Sequence, residues 1–264
     1  MIQCVGSREE PNQYCSRICC RDAIKNAIAL KEKNPTTHIS ILYRDIRTYG
    51  LKEDYYKKAR DMGVFFVRYE LDKKPVVEKT GDGLSIRVWD YILNEELVLE
   101  ADCLVLSTGL RPHHTAREIG EMYKITRNSD GYFLEAHVKL RPVDFPGEGM
   151  FVAGLAHAPK NLDETISQAL AAAGRAGTVL SKQSLSVSGI VAKHSRDLCM
   201  SCLSCVRVCP FDSPYIDREG KVAHNEIKCH GCGICASICP AKAFQVNSFR
   251  DDQILAMIDA ATAD

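Results

Sequence analysis

Two stretches of this sequence, CMSCLSCVRVCP at 199–210 and CHGCGICASICP at 229–240, repeat four cysteines and a closing proline thirty residues apart. Thiols set at such recurring intervals constrain the chain more tightly than any hydrophobic pattern in it, because each set must be brought to a common place. Disulfides are one use for clustered thiols, but they belong to oxidising compartments. The N-terminus, with Gln3, Cys4 and Arg8, lacks the apolar segment of a secretory signal, and no run approaches the roughly 18 apolar residues of a membrane span. A cytoplasmic chain is the expectation, and cysteine clusters there bind metal or carry redox chemistry. Lys+Arg and Asp+Glu both number 34, so a formal net charge of zero gives no electrostatic reason to expect nucleic acid or an anionic membrane as partner.

Each stretch has the form C-x2-C-x2-C-x3-C-P, the spacing by which bacterial-type ferredoxins hold two 4Fe–4S clusters. Thiolates suit iron because they are soft, anionic ligands. In this pattern three cysteines at x2 spacing wrap one cluster while the fourth reaches the other. One predicted set is therefore Cys199, Cys202, Cys205 and Cys239, and the second is Cys229, Cys232, Cys235 and Cys209. A pair of zinc sites competes, since C-x2-C is also zinc spacing, but zinc does not call for doubled quartets each closed by proline. Tyr215–Val222 suits a hairpin around Gly220. A domain this small has little room for a core, so its stability has to come largely from the clusters. The serine-rich stretch Ser181–Gly189 reads as a linker before it, and Ile254, Leu255 and Ile258 mark a helix over Asp251–Ala261, with Asp251 as its cap.

Twelve of the thirteen cysteines fall in three groups, the third being Cys4, Cys15, Cys19 and Cys20. The last, Cys103, sits in the apolar run ADCLVL and reads as a small buried hydrophobe in a strand. Residues 1–100 alternate strands and helices: a strand over Ile2–Val5, a helix over Cys20–Lys33 stopped by Asn34-Pro35, a strand over His38–Tyr43, a helix over Glu53–Met62 ending before Gly63, and a strand over Val64–Val67. Shorter strands around Val76, Leu84–Trp89 and Glu96–Leu99 suggest an antiparallel flap. This order fits a nucleotide-binding α/β domain. Its first turn, however, reads Cys4-Val5-Gly6-Ser7-Arg8 and lacks the G-x-G-x-x-G that lets a backbone approach a pyrophosphate, which argues against NAD binding.

In residues 101–182, LVLSTGLRP at 104–112 is a strand running into a Thr-Gly turn, and GMFVAGLAH at 149–157 leads into a helix over Asp163–Leu180. These pieces resemble the second half of the FAD domain of thioredoxin-reductase-like flavoproteins, where the turn and the strand-Gly-helix unit close over the flavin. That family usually has aspartate after the last strand's glycine, where this chain has Leu155. Backbone amides at the helix N-terminus are then left to hold the flavin's polar edge. An ordinary strand-turn-helix with a small-residue packing face is the competing reading.

Taken together, QCVGSR, YCSRICC with AIKNA, ILYRDIRTYG, HVKLRPVD, FVAGLAHAPK with DETISQA, the doubled cysteine repeat and QILAMIDA resemble the family of heterodisulfide reductase A subunits, in order and across nearly the whole chain. The resemblance implies an α/β, incomplete thioredoxin-reductase-like flavoprotein fold followed by an α+β bacterial-type two-cluster ferredoxin domain. Its expected divisions are a degenerate nucleotide-binding-like domain carrying a cluster at 1–100, the second half of an FAD-binding domain at 101–182, and the ferredoxin domain with a C-terminal helix at 183–264. It also implies that Cys4, Cys15, Cys19 and Cys20 hold a further 4Fe–4S cluster, and that Thr108, Gly109, Arg111, Gly154, Ala156, Lys160 and Thr165 line FAD. Lys160 is the candidate cation beside the isoalloxazine; an exposed loop lysine is the alternative.

Family members are cytoplasmic iron–sulfur flavoproteins that pass or bifurcate electrons within multi-subunit complexes, so the implied activity is that of one subunit of an oxidoreductase complex. The sequence starts in mid-fold relative to the family, and the expectation is a split arrangement in which another chain supplies the first half of the FAD domain. Hydrogenase, formate dehydrogenase and ferredoxin are the redox partners the resemblance suggests. Two other functions compete: a flavin disulfide reductase using a thiol pair from QYCSRICC, and a structural iron–sulfur scaffold. The first needs a Cys-x-x-Cys pair, whereas Cys15 and Cys19 have three residues between them. His113, His114 and His157 read as surface or hydrogen-bonding residues rather than metal ligands, and His230 as pointing to solvent or to a cluster sulfur.

Overall fold

The computed structural model describes residues 1–81, 83–184, 186 and 189–263. Helix α1, Cys19–Lys33, carries Ala23, Ile24, Ala27 and Ile28 on its buried face, with Asp22 in the first turn and Lys31 and Lys33 in the last, where they complement the helix dipole. Strand β1, Ser40–Tyr43, is followed by α2, Glu53–Asp61, and β2, Phe65–Arg68. Gly63, at φ 76°, ends α2 in the left-handed turn that a glycine adopts without strain, and the Val64 N–H closes back on the Ala59 carbonyl.

β1 and β2 are parallel, and Ile2 bridges in parallel to Leu42 on one side and to Leu106 on the other. The lateral order is therefore the segment at Leu106, that at Ile2, β1 and β2, the arrangement of a doubly wound sheet whose first strand lies inside later ones. The expected strand at Ile2–Val5 shrinks to that bridge, supported by Ile2 N–H to the Val105 carbonyl at 2.9 Å and Gln3 N–H to the Leu42 carbonyl at 2.9 Å. Because side chains alternate, Ile41 packs with α1 and α2, while Leu42 joins Ile2, Val67, Ile86 and Val88. The latter two belong to an antiparallel meander of β3 (Val76–Thr80), β4 (Gly83–Asp90) and β5 (Glu95–Ala101), as the flap reading expects. Strand structure stops at Ala101, so Cys103 is exposed and lies outside any strand, contrary to expectation: of its run Ala101 and Leu104 pack against the core, and Val105 and Leu106 stay exposed.

Helices α3, Ala116–Met122, and α4, Leu162–Leu180, follow. The last six strands and helices before the C-terminal one repeat at an offset of thirty residues. β6 (Ala192–His194), α5 (Ser204–Val208) and β7 (Pro214–Ile216) recur as β8 (Val222–His224), α6 (Ile234–Ile238) and β9 (Phe244–Val246). β6 pairs with β9 and β7 with β8, each antiparallel, so the halves exchange partners as a pseudo-two-fold demands. Even the left-handed backbone positions recur: Ser201 with Gly231, Leu203 with Gly233, Asp212 with Lys242. β7 and β8 form the hairpin around Gly220.

The final helix, α7 (Asp251–Thr262), starts one residue earlier than its expected cap: Arg250 is the N-cap and Asp251 is already helical, its charge favouring the first turn. Ile254, Leu255 and Ile258 are exposed. Part of the expected linker, at Leu185, Val187 and Ser188, lies outside the described residues. Among the described residues no helix is long and apolar enough to cross a membrane.

The chain divides into two compact units that do not follow it linearly. The first comprises 1–117, 127–133 and 153–169, and the second 118–126, 134–152 and 170–264. The first unit contains the parallel sheet, the second the thirty-residue repeat. Within the second, the Arg175 guanidinium grips the buried Asp144 carboxylate with three hydrogen bonds of 3.1–3.2 Å. Ile41→Ala, at a fully buried site between α1 and the sheet, is expected to destabilise the first unit by about 3 kcal/mol, measured by denaturant unfolding; Leu162→Ala, on an exposed face, is the near-neutral control.

Candidate metal centres and cofactor site

The short helices α5 and α6 each follow a residue in the left-handed region, Leu203 and Gly233, which turns the chain so that three closely spaced cysteines face one cavity. The first cavity is lined by Cys199, Cys202, Cys205 and Cys239, and the second by Cys209, Cys229, Cys232 and Cys235. Each predicted quartet is thus gathered around its own cavity, with the fourth cysteine arriving from the other repeat. The donor chemistry fits an iron–sulfur cubane: four thiols and no competing carboxylate line each cavity. Backbone N–H groups already point at sulfur, from Ala192 and Gly231 to Cys229 Sγ at 3.3 and 3.4 Å and from Ala243 to Cys239 Sγ at 3.2 Å. Such donors stabilise a cluster's negative charge.

Burial pushes the Cys235 thiol up to about 11, with Cys229, Cys209 and Cys232 adding to the rise, and burial likewise raises Cys205 beside Cys199 and Cys202. Thiols crowded in this way resist ionising together until a cation joins them, which couples metal loading to proton release. Gly231 is required by close approach: at φ 64°, a Cβ there would lie 2.3 Å from the Ile190 carbonyl oxygen. His230 is exposed, one of the two expected placements, and its ring stacks on Phe211 with centroids 4.0 Å apart. His224 donates from Nε2 to Ser213 Oγ at 2.8 Å, because that hydroxyl's own proton goes to the Asn225 carbonyl.

The first unit holds the remaining cysteine group. Cys19 opens α1, Cys20 is buried behind it, and Cys4 follows the Ile2 bridge with φ 61°. Burial raises the Cys19 thiol to about 11, and Cys20, Cys15 and Cys4 add to it in that order, so the four thiols share one neighbourhood. Arg8 hydrogen-bonds to Cys4 and Arg47 to Cys15, placing cations beside the thiol group. Arg8 and Arg47 carried no signal in the sequence beyond their charge.

The loop bearing Cys15 is held to the Thr-Gly turn. Ser16 Oγ accepts from the Leu110 N–H at 2.8 Å and Tyr14 donates to the Leu110 carbonyl at 2.7 Å. Gly109, at φ 80°, leaves room for this: a Cβ would sit 2.5 Å from Ser16 Oγ. From the same loop Arg17 donates to the Pro159 carbonyl at 3.2 Å and to Glu164 at 2.6 Å, while Tyr49 joins Glu164 and Asn161. Thus the cysteine loop, the turn at 108–111 and the segment 154–165, far apart in sequence, meet in one unit. All seven residues expected at FAD lie there. Thr108, Arg111 and Ala156 are exposed, Gly154 is buried with φ 67°, and Thr165 packs against it. Lys160 is buried rather than a loose loop lysine; it donates to His157 Nδ1 at 2.9 Å and to Gln168 Oε1 at 2.7 Å, and Gln168 in turn accepts from the Gly154 N–H. The helical spacing of Gln168 from Glu164 was the only available hint of its role.

A repeat of two crossed cysteine quartets on an α/β body defines an iron–sulfur protein with a ferredoxin-type module. A family model described as a 4Fe-4S dicluster domain matches residues 192–240. The chain is 38% identical over 268 residues to the A subunit of the H(2)/formate:CoB-CoM heterodisulfide,ferredoxin reductase of Methanococcus maripaludis, covering 98% of this chain and 40% of that protein. It is 40% identical over 266 residues to the A subunit of the ferredoxin:CoB-CoM heterodisulfide reductase of Methanosarcina mazei, covering 99% and 33%, and 37% identical over 262 residues to that of Methanosarcina acetivorans, covering 98% and 32%. Over nearly its whole length the chain is similar to a part of these heterodisulfide reductase A subunits, and it spans about a third to two fifths of their length.

Ser16→Ala should free the Leu110 N–H and the Cys15 loop at a cost of about 1–2 kcal/mol. In a chelator challenge, iron associated with the first unit is expected to leave faster than in the unaltered chain while iron in the repeat is retained.

Proposed function

We propose that this chain is an electron-transfer part of a cytoplasmic, multi-subunit oxidoreductase of the heterodisulfide reductase type, holding three 4Fe–4S clusters and one side of an FAD site. The observation that carries this reading is the meeting, in the first unit, of the Cys4/15/19/20 group with the turn at Gly109 and the buried Lys160. When bound, FAD would supply two-electron chemistry and the clusters one-electron relay.

The chain's own residues have defined parts. Lys160, held by His157 and Gln168, presents a fixed cation. A buried cation favours added negative charge nearby. Gly154 lets the backbone approach closely ahead of α4, and Arg17, Tyr49 and Glu164 fix the spacing between cysteine loop and helix start. Burial holds the Cys19 thiol near 11, the opposite of what a nucleophilic thiol requires, which weighs against a disulfide reductase working through QYCSRICC.

The rest of the flavin site would come from protein outside these residues. No residue of α4 is buried, and Leu162, Ile166 and Leu170 form a stripe 65, 53 and 69% exposed. Such a stripe on a 19-residue helix is a surface made to be covered. Hydrogenase, formate dehydrogenase and ferredoxin are the classes from which donor and acceptor would come, and electron bifurcation is the extended form of the reading.

Affinity capture of the native complex tests this. FAD is expected in the complex and absent or weak in the isolated chain, and Lys160→Met is expected to cut flavin retention about tenfold, or about 1.4 kcal/mol. Capture of the chain with redox subunits but without flavin would overturn the FAD part of the reading.

A further inference from the structure

We propose that Lys124 is a positioning residue for the cluster site to which Cys209 contributes, and that its charge raises the reduction potential of that site. The inference rests on reading residues 199–240 as a two-cluster site. Lys124 lies in the second unit with the repeat. Its ammonium donates to the carbonyls of Val206, at 3.2 Å, and Cys209, at 3.1 Å, and pairs with the Asp212 carboxylate. It therefore grips the end of α5 and the turn that carries Cys209 across to Cys229, Cys232 and Cys235.

The backbone at Lys124 breaks a local rule. The α3 helix ends in a paired closure: the Ile125 N–H bonds to the Gly120 carbonyl at 2.8 Å and the Lys124 N–H to the Glu121 carbonyl at 3.4 Å. In this motif the residue between takes the left-handed conformation and is usually glycine, yet Lys124 occupies it at φ 53°. A side chain held where glycine is easier marks a position whose side chain has a task.

The second repeat has no such grip among the described residues. There the Cys239 carbonyl accepts the backbone N–H of Lys242 at 3.1 Å, and the residue equivalent to Asp212 is Lys242 itself. The pseudo-two-fold is thus broken: the first turn is gripped by a lysine from outside the repeat and carries Asp212, while the second carries its own lysine, Lys242, at that position. Of the Lys124–Asp212 pair the carboxylate is the more solvent-exposed, 60% against 29%, so water screens it more than the ammonium. Adding one electron to a cluster adds one negative charge, and a nearby cation favours that form. Lys124 accordingly raises the reduction potential of the site served by Cys209 above the value that site would have without it.

The test is an anaerobic redox titration of the full chain followed by electron paramagnetic resonance, with Cys209→Ser used to assign the signal of the site it serves. Lys124→Gly removes the cation while relieving the backbone, so it is expected to fold and to lower that midpoint alone. Lys124→Arg should hold it, and Asp212→Asn should raise it. Unchanged midpoints in Lys124→Gly, equal shifts of both signals, or shifts of the same sign in Lys124→Gly and Asp212→Asn would each overturn the proposal. Two four-iron signals missing from the unaltered chain would instead sink the underlying two-cluster reading, before any variant is compared.

Discussion

The repeat depends on an exchange: Cys209 leaves its own quartet to serve the second cavity, and Cys239 does the reverse. Two strand pairs of three residues each cannot supply a hydrophobic core, and of the six buried residues at the module's centre two are the cysteines Cys205 and Cys235. The thiols are at once core and ligand. On the two-cluster reading, iron binding and folding are coupled, since the ligands come together only in the folded chain and the fold has little else to hold it. The pseudo-two-fold in strands, helices and left-handed positions is the geometric expression of that exchange.

A second constraint shapes the first unit. A doubly wound sheet leaves a crevice beyond its strand ends, where a glycine turn ordinarily cradles phosphate. Here that turn is replaced by Cys4-Val5-Gly6-Ser7-Arg8, and the loop that follows is pinned through Ser16 and Tyr14 to the backbone of Leu110. On the proposed reading, thiols take the place of phosphate-binding amides at the fold's ligand position and change its chemistry. Arginines 8 and 47 supply the positive surroundings that a helix N-terminus alone would give only in part.

The repeat is legible in the sequence almost to the residue, because cysteine spacing is dictated by the ligand and owes nothing to distant parts of the chain. α1, α2 and the flap are legible from period and from Gly63 and Pro35, for the same reason: their signals are local. Cys103 departs from expectation because an apolar run says nothing about whether another layer covers it, and here Ala101 and Leu104 find one while Cys103 does not. The cap of α7 shifts by one residue because Asp251 serves the first turn equally well from inside it. The docking of QYCSRICC on the turn at Gly109 and on Pro159 and Glu164 lies beyond sequence reading, since its hydrogen bonds span roughly a hundred residues or more and run largely through backbone atoms.

The central claim is that three groups of four cysteines each hold one cubane. The most direct measurement is iron and acid-labile sulfide on the anaerobically purified chain, with Mössbauer spectra to identify the iron. About 12 of each per chain, all in four-iron clusters, is the predicted result. Values near 8 would remove the cluster at Cys4, Cys15, Cys19 and Cys20, and stoichiometric zinc with little sulfide would contradict the claim altogether.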